Sequence, residues 1–311
     1  MKKIAFVFPG QGSQSVGMLD AWSDNRAVQA AIQVANEALD QDLGRLIATG
    51  PDTDLNLTTN TQPAMLLAAV AMFNAWVEAG GALPDVVAGH SLGEYSALTA
   101  SGVLRLSDAV KLVRIRADAM QQAVPVGVGA MAAVLNLNDE QIRQVCAQAA
   151  QDQVVEPVNF NAPGQIVIAG HKEAVERACE LAKVAGARRA VLLPVSAPFP
   201  SSLLAPAADT LAVALNHIEL DAPRIPVINN VDVAYPDEVD AIKSALARQA
   251  WHPVRWVETI EKMRALGVTH IVECGPGKVL SGLVKRIDKD MIVLSINDPA
   301  SLEHVLTSLQ N

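Results

Sequence analysis

Ile4-Ala5-Phe6-Val7-Phe8 is apolar at every position, and Pro9-Gly10 closes the run. A strand with one wet face alternates polar and apolar residues. A strand with no polar face has to be covered on both sides, as in a parallel sheet with helices on its faces. The run therefore predicts a buried strand that ends in a loop, and it points to an α/β fold. Thr61-Gln62-Pro63 predicts the start of a helix, with Thr61 as its cap and Pro63 in its first turn. Gly80-Gly81 predicts its end. Val86 to Ala88 reads as a short strand and Leu92 to Ala100 as a helix. Ser107-Asp108 opens a further helix to about Gln122, ended by Pro125 and Gly127. Later short strands are predicted over Ile225 to Ile228, His270 to Glu273 and Ile292 to Leu294, with a helix from Val279 to Arg286.

The chain has the apolar material for two packed layers. Half of its 311 residues are hydrophobic, and 18% are charged, below the ~25% of average chains. That balance excludes disorder, and the length suits about two domains with a sizeable core. Aromatic residues are only 4%, so Ala, Val and Leu must fill most of that core. Lys and Arg number 24 against 33 Asp and Glu, a formal charge of -9 that argues against nucleic acid as a main partner. Cys146, Cys179 and Cys274 stand far apart, with no zinc-ligand spacing, as in a reduced cytosol. The apolar run within MKKIAFVFPG is short for a signal peptide, and Pro63 to Val77 falls short of the ~20 residues of a membrane span. The expectation is a soluble cytoplasmic protein with no membrane partner.

Between about 130 and 196 the rhythm changes. Met131 to Leu135 reads as a strand. Asn138 caps a helix to about Ala150, with Gln141 in the reciprocal capping position. Val154 to Asn159 and Gln165 to Ala169 read as strands, His171 to Ala185 as a helix, and Arg189 to Val195 as a strand. This βαββαβ order is the ferredoxin-like unit. The predicted organisation is a core domain of residues 1–125 and 199–311 interrupted by a subdomain of residues 126–198.

Gly89-His90-Ser91-Leu92-Gly93 fits G-x-S-x-G between a predicted strand and a predicted helix. A nucleophile elbow needs small residues beside the serine, because the turn is tight. The turn exposes the hydroxyl, and the next helix points its N-terminus at developing negative charge. An ordinary glycine-lined βα turn is the other reading. Gly10 and Gly12 begin a dinucleotide-type pattern, but Ser15 stands where its third glycine belongs. The alternative is a loop that brings a backbone N–H against a reacting oxygen. Gly275-Pro276-Gly277-Lys278 lacks the remaining P-loop residues and reads as a turn before a helix.

FPGQGSQSVGM, TQPA, GHSLGEYSAL, GAMAAV, PVNFNAPGQIVIAG, NNVDV and GPGKVLSGL follow one another in an order that resembles the bacterial malonyl-CoA:acyl carrier protein transacylase family. The resemblance covers essentially the whole chain. It implies an α/β-hydrolase-like core with an inserted ferredoxin-like subdomain. It implies transfer of a malonyl group from malonyl-CoA to the phosphopantetheine thiol of acyl carrier protein in fatty acid biosynthesis. Ser91 then corresponds to the malonylated nucleophile, and the backbone N–H groups of Gln11 and Leu92 to the oxyanion hole. Arg116 corresponds to the arginine that binds the malonyl carboxylate, a task suited to a planar guanidinium. From the residues alone Arg114 competes with it. Gln249 matches a glutamine whose backbone carbonyl orients the catalytic histidine. Gln62, Asn159 and His90 match positions lining the site, with structural hydrogen bonding as the alternative. No metal or organic cofactor is implied.

One departure stands out. Pro194-Val195-Ser196-Ala197-Pro198-Phe199-Pro200 carries Pro200 where the family pattern has its basic histidine. Proline has no titratable group, and a serine hydroxyl is a weak nucleophile without a base. Acylation of Ser91 should suffer most. His90 and His252 are the candidates for rescue, whereas His171, His217, His270 and His304 read as solvated or structural. The chain is thus expected to be an acyltransferase of reduced turnover. The alternatives are a binding protein with the same pocket, for malonyl-CoA or carrier protein, and a serine esterase or thioesterase. Lys278, Lys285, Arg286 and Lys289, and separately Arg188-Arg189, are candidate docking clusters for an acidic carrier protein; a solvated face is the other reading.

Overall fold

The computed structural model describes residues 2–125, 127–193 and 199–310. From the amino end, β1 (Ile4–Phe8) leads through a 3-10 turn to α1 (Arg26–Leu39), α2 (Leu43–Thr49), α3 (Asp52–Leu55) and the long α4 (Thr58–Glu78). Next, β2 (Val86–Gly89) runs into α5 (Gly93–Ala100) and α6 (Leu106–Ala123). Then come β3 (Gly129–Leu135), α7 (Asp139–Ala150), β4 (Val155–Ala162), β5 (Gln165–His171), α8 (Lys172–Val184) and β6 (Arg189–Leu192). The chain continues with α9 (Ala205–Asn216), β7 (Val227–Ile228), α10 (Val239–Gln249), α11 (Trp256–Ala265), β8 (His270–Cys274), α12 (Val279–Ile287), β9 (Ile292–Ile296) and α13 (Pro299–Gln310).

Five strands form a parallel sheet in the order β7-β2-β1-β8-β9. Its centre is β1, whose residues divide by the two-residue period of a strand. Phe6 and Phe8 face one apolar cluster, where both rings meet Phe73 of α4 edge-on. Ala5 and Val7 face a second cluster with Trp256, Ile260 and Met263 of α11 and Leu280 and Val284 of α12. Both faces are sealed, which is why β1 is apolar throughout. At about 25 cal/mol per Å2 of apolar surface, a fully buried phenylalanine contributes roughly 2–3 kcal/mol.

The second unit is antiparallel, in the order β4-β5-β3-β6. Helices α7 and α8 cover it through a cluster of its own that includes Ile142, Val145, Ile166, Ile168 and Val175. The helix over 139–150 begins as predicted: Asn138 Oδ1 accepts from Gln141 N, and the Gln141 side chain accepts from Asn138 N. The α/β core with its separate ferredoxin-like sheet matches the expected class. The predicted edges, Val126 and Pro198, lie outside the described residues, as does Pro194 to Ala197. The last strand is described over Arg189–Leu192, and its predicted end at Val195 lies outside the described residues.

Helix α4 differs from the prediction. It starts at Thr58, and Pro63 lies inside it. The Thr61 hydroxyl does not cap; it donates to Leu55 O at 2.6 Å and Leu57 O at 3.0 Å. The Thr-Gln-Pro signal is real chemistry at a first turn, but burial decided the outcome. Gln62 through Phe73 is buried without interruption, and that packing outweighs one hydrogen bond forfeited at proline. Among the described residues, no helix is long and apolar enough to cross a membrane.

Candidate active site

Strand β2 ends at Gly89, and the chain turns sharply into α5. Ser91 sits at the apex with φ +52°, in the left-handed region that a residue bearing a Cβ rarely adopts. The flanking glycines are required by contact. A Cβ on Gly89 would lie 1.8 Å from Gly93 C, and one on Gly93 would lie 2.1 Å from Phe8 O. Gly10 is as constrained: its Cβ would meet His90 O at 2.7 Å, so the loop after β1 presses on the elbow. Gln11 is the next residue along that loop, and its Nε2 donates to Thr58 Oγ1 at 3.0 Å. Neither the Gln11 nor the Leu92 backbone N–H has a hydrogen-bond partner among the described residues. Both are free to donate.

Asn230, after β7, clasps the bend from both sides. Its Oδ1 accepts from Ser91 N at 2.7 Å, and its Nδ2 donates to Gly89 O at 2.7 Å. Gln249, at the end of α10, donates from Nε2 to Ser91 O at 2.8 Å and to Glu94 Oε2 at 2.9 Å. These contacts run through its side chain, and the role that the family resemblance implies for its backbone carbonyl depends on the histidine that Pro200 replaces.

Arg116 reaches in from α6 and is 2% exposed. Its Nη2 donates to Ser91 Oγ at 3.2 Å and to Gln249 Oε1 at 3.2 Å, and its Nη1 donates to Gln62 Oε1 at 2.6 Å. Its Nε is buried with no partner among the described residues. No carboxylate pairs with this guanidinium within 4.0 Å among the described residues, so a buried cation rests on neutral acceptors alone. Burial lowers its pKa, and Tyr95 and Glu94 oppose that shift. A buried cation without a paired anion is costly and is a ready receptor for one. Arg114, two residues earlier, points elsewhere: its Nη2 donates to Gln41 Oε1 at 2.6 Å and Asn60 Oδ1 at 3.3 Å. Thr58 Oγ1 accepts from the side chains of Gln11 and Gln62, tying the first loop to the guanidinium.

His90 turns away from the serine. Its Nε2 is 2.7 Å from Asn161 Oδ1, and its ring packs on Trp256. Burial lowers its pKa. His252 lies on its own helix end, with Nδ1 2.9 Å from Arg248 O and its ring against Trp251. No imidazole hydrogen-bonds to Ser91 among the described residues. Pro200 is buried, and the neighbouring Ser201 hydroxyl is buried without a partner among the described residues. Asn159 stands on β4 with its Oδ1 buried and without a partner among the described residues, while Asn161, one step along the same face, holds His90. Asn161, Asn230 and Glu94 went unassigned in the sequence. All three lie inside the motifs PVNFNAPGQIVIAG, NNVDV and GHSLGEYSAL, which was the available signal.

A hydroxyl at the apex of a bend, two free backbone donors and a buried cation with no paired anion among the described residues can together handle an activated acyl group that carries an anion. The comparisons agree with that chemistry. A family model described as acyl transferase domain matches residues 5–305. The malonyl CoA-acyl carrier protein transacylase of Escherichia coli K12 is 52% identical over 307 residues, 98% of this chain and 99% of that protein. Its Haemophilus influenzae counterpart is 53% identical, covering 98% of each chain. A crystal structure of an acyl-carrier-protein S-malonyltransferase from Burkholderia pseudomallei is 59% identical, covers 98% of this chain and 99% of that one, and superimposes with a TM-score of 0.97. A malonyl-transacylase in complex with its type II PKS acyl-carrier protein is 49% identical, covers 99% and 100% of the chains, and has a TM-score of 0.97.

Proposed function

The chain belongs to the acyl transferase domain family, and on that premise we propose that it moves a malonyl group from malonyl-CoA to the phosphopantetheine thiol of acyl carrier protein, as a cytoplasmic enzyme of fatty acid biosynthesis. Ser91 Oγ attacks the thioester carbonyl, forming the O–C bond as the C–S bond breaks. The Gln11 and Leu92 N–H groups hold the carbonyl oxygen while it carries charge, at about 3 kcal/mol per donor. Arg116 takes the far carboxylate. The carrier thiol then reverses the exchange on the acylated serine. The single observation behind this reading is the guanidinium 3.2 Å from the nucleophile with no anionic partner within 4.0 Å among the described residues. A plain esterase has no use for that cation. Residues 126–198 act in this reading as the inserted subdomain of residues 1–125 and 199–311.

Pro200 shapes the rate. The proton of Ser91 has to end on the departing thiolate, and no imidazole beside Ser91 relays it among the described residues. Acylation is then the slow step, and binding without fast turnover is the second reading, favoured by Pro200 alone. Intact-mass measurement after incubation with malonyl-CoA tests the first. A malonyl adduct is expected on this chain and absent from Ser91→Ala. If neither this chain nor a Pro200→His variant acquires an adduct, the assignment fails. Calorimetric binding of malonyl-CoA without any adduct would leave the second reading in its place.

A further inference from the structure

Glu94 is buried beside the site and takes no part in the chemistry above. It lies in the first turn of α5 and is 2% exposed. A buried carboxylate needs donors around it. Here one oxygen, Oε2, accepts from Asn230 N at 2.9 Å and Gln249 Nε2 at 2.9 Å. Those two residues are the ones that hold Ser91, Asn230 at its N–H and Gln249 at its C=O. Both peptide groups of the nucleophile are therefore fixed by side chains anchored on a single carboxylate.

We propose that Glu94 is a positioning residue for the Ser91 elbow, fixing Gln249 with its nitrogen toward Ser91 O and its oxygen toward Arg116, and holding Asn230 across the bend. The proposal rests on Ser91 being the nucleophile. An ionised carboxylate only accepts, so it admits one orientation of the Gln249 amide. The flipped amide would set oxygen against Ser91 O and N–H against Arg116. Ser91 at φ +52° needs such support, because a left-handed residue with a Cβ persists only where its surroundings over-determine it.

The charge state of Glu94 offers a readout that needs no turnover. Burial raises its pKa to about 7. The charged and titratable groups facing it are Arg116 of α6, Asp232 after β7, Arg248 of α10 and its neighbour Tyr95. Tyr95 is pushed up to about 12, and Arg248 holds Asp232 below the usual carboxylate range. Burial also depresses His90. His252 also borders the network, with Nδ1 2.9 Å from Arg248 O, so a transition is assigned to Glu94 by its own carboxyl carbon and by its loss in Glu94→Gln. In isotope-labelled protein, the Ser91 and Asn230 backbone amides and the Gln249 side-chain amide should shift with one midpoint near 7, shared by the Glu94 carboxyl carbon. In Glu94→Gln these resonances should stay flat through that range, and the Ser91 amide should differ from the parent at alkaline pH. A Ser91 amide unmoved while the Glu94 carbon titrates overturns the proposal. So does a Ser91 shift that persists in Glu94→Gln, or a Ser91 amide identical in the two proteins at every pH. Should Glu94→Gln fail to fold, the match of midpoints in the parent decides. A missing malonyl adduct would count against the function and leave these outcomes readable.

Discussion

The Ser91 oxygen is held by a cation and by no base among the described residues. General acid–base assistance contributes typically about 100- to 10,000-fold. Restoring an imidazole with Pro200→His should therefore speed malonylation of Ser91 at least about a hundredfold, read by quenched-flow mass spectrometry; an equal rate would show that the proton leaves by another route. Glu94 makes the opposite kind of demand, on stability. Its folded pKa of about 7 lies above its ordinary value of 4.5, so the native state holds the proton more tightly than the unfolded chain. Stability from this group is full below pH 4.5 and is lost as pH rises through about 7. At 1.36 kcal/mol per unit, the loss is on the order of 3 kcal/mol. Urea unfolding of Glu94→Gln beside the parent should show the variant gaining on the parent between pH 5 and pH 8; a difference constant with pH would refute the linkage.

At the scale of elements, the elbow is a junction where backbone meets backbone. A methyl on Gly89 or Gly93 would collide with main-chain atoms of α5 or β1, which cannot swing aside as side chains do. Overpacking typically costs about 1–3 kcal/mol, and a main-chain clash belongs at or above the upper end. Gly93→Ala should lower the thermal midpoint by several degrees and reduce Ser91 labelling, whereas Gly12→Ala, which meets open space but sits at φ +111°, should cost only backbone strain. The local devices were legible in the sequence. The strand-to-helix spacing around Ser91, the Asn138–Gln141 box and the apolar β1 are each written within a few residues. The start of α4 was not, because its buried surroundings overrode a local proline signal. The Glu94–Asn230–Gln249 clasp was not either: its partners are separated by 136 and 155 positions, and only the sheet and α10 bring them together.

Over the whole molecule, a formal charge of -9 opposes an acidic partner, so a carrier protein has to meet a local exception. Lys278, Lys285, Arg286 and Lys289 are exposed on and around α12, and Arg188 and Arg189 are exposed at the edge of the antiparallel sheet. None of the six forms an ion pair among the described residues. Arg286 also hydrogen-bonds to Gln165 of β5, which sets α12 at the seam between the two sheets. Charge reversal at both clusters should raise KM for carrier protein several-fold and flatten its salt dependence, leaving KM for malonyl-CoA less affected; an unchanged KM for carrier protein would dismiss this surface. The central claim is more compact: an anion on the acyl group is what the buried guanidinium beside Ser91 receives. The most direct test is competition between malonyl-CoA and acetyl-CoA for Ser91, in Pro200→His and in the same protein carrying Arg116→Met. Losing one partner of a buried charge pair costs about 2–5 kcal/mol, so the preference for malonyl should fall at least about tenfold. A malonyl-to-acetyl ratio that survives the loss of Arg116 would contradict the account.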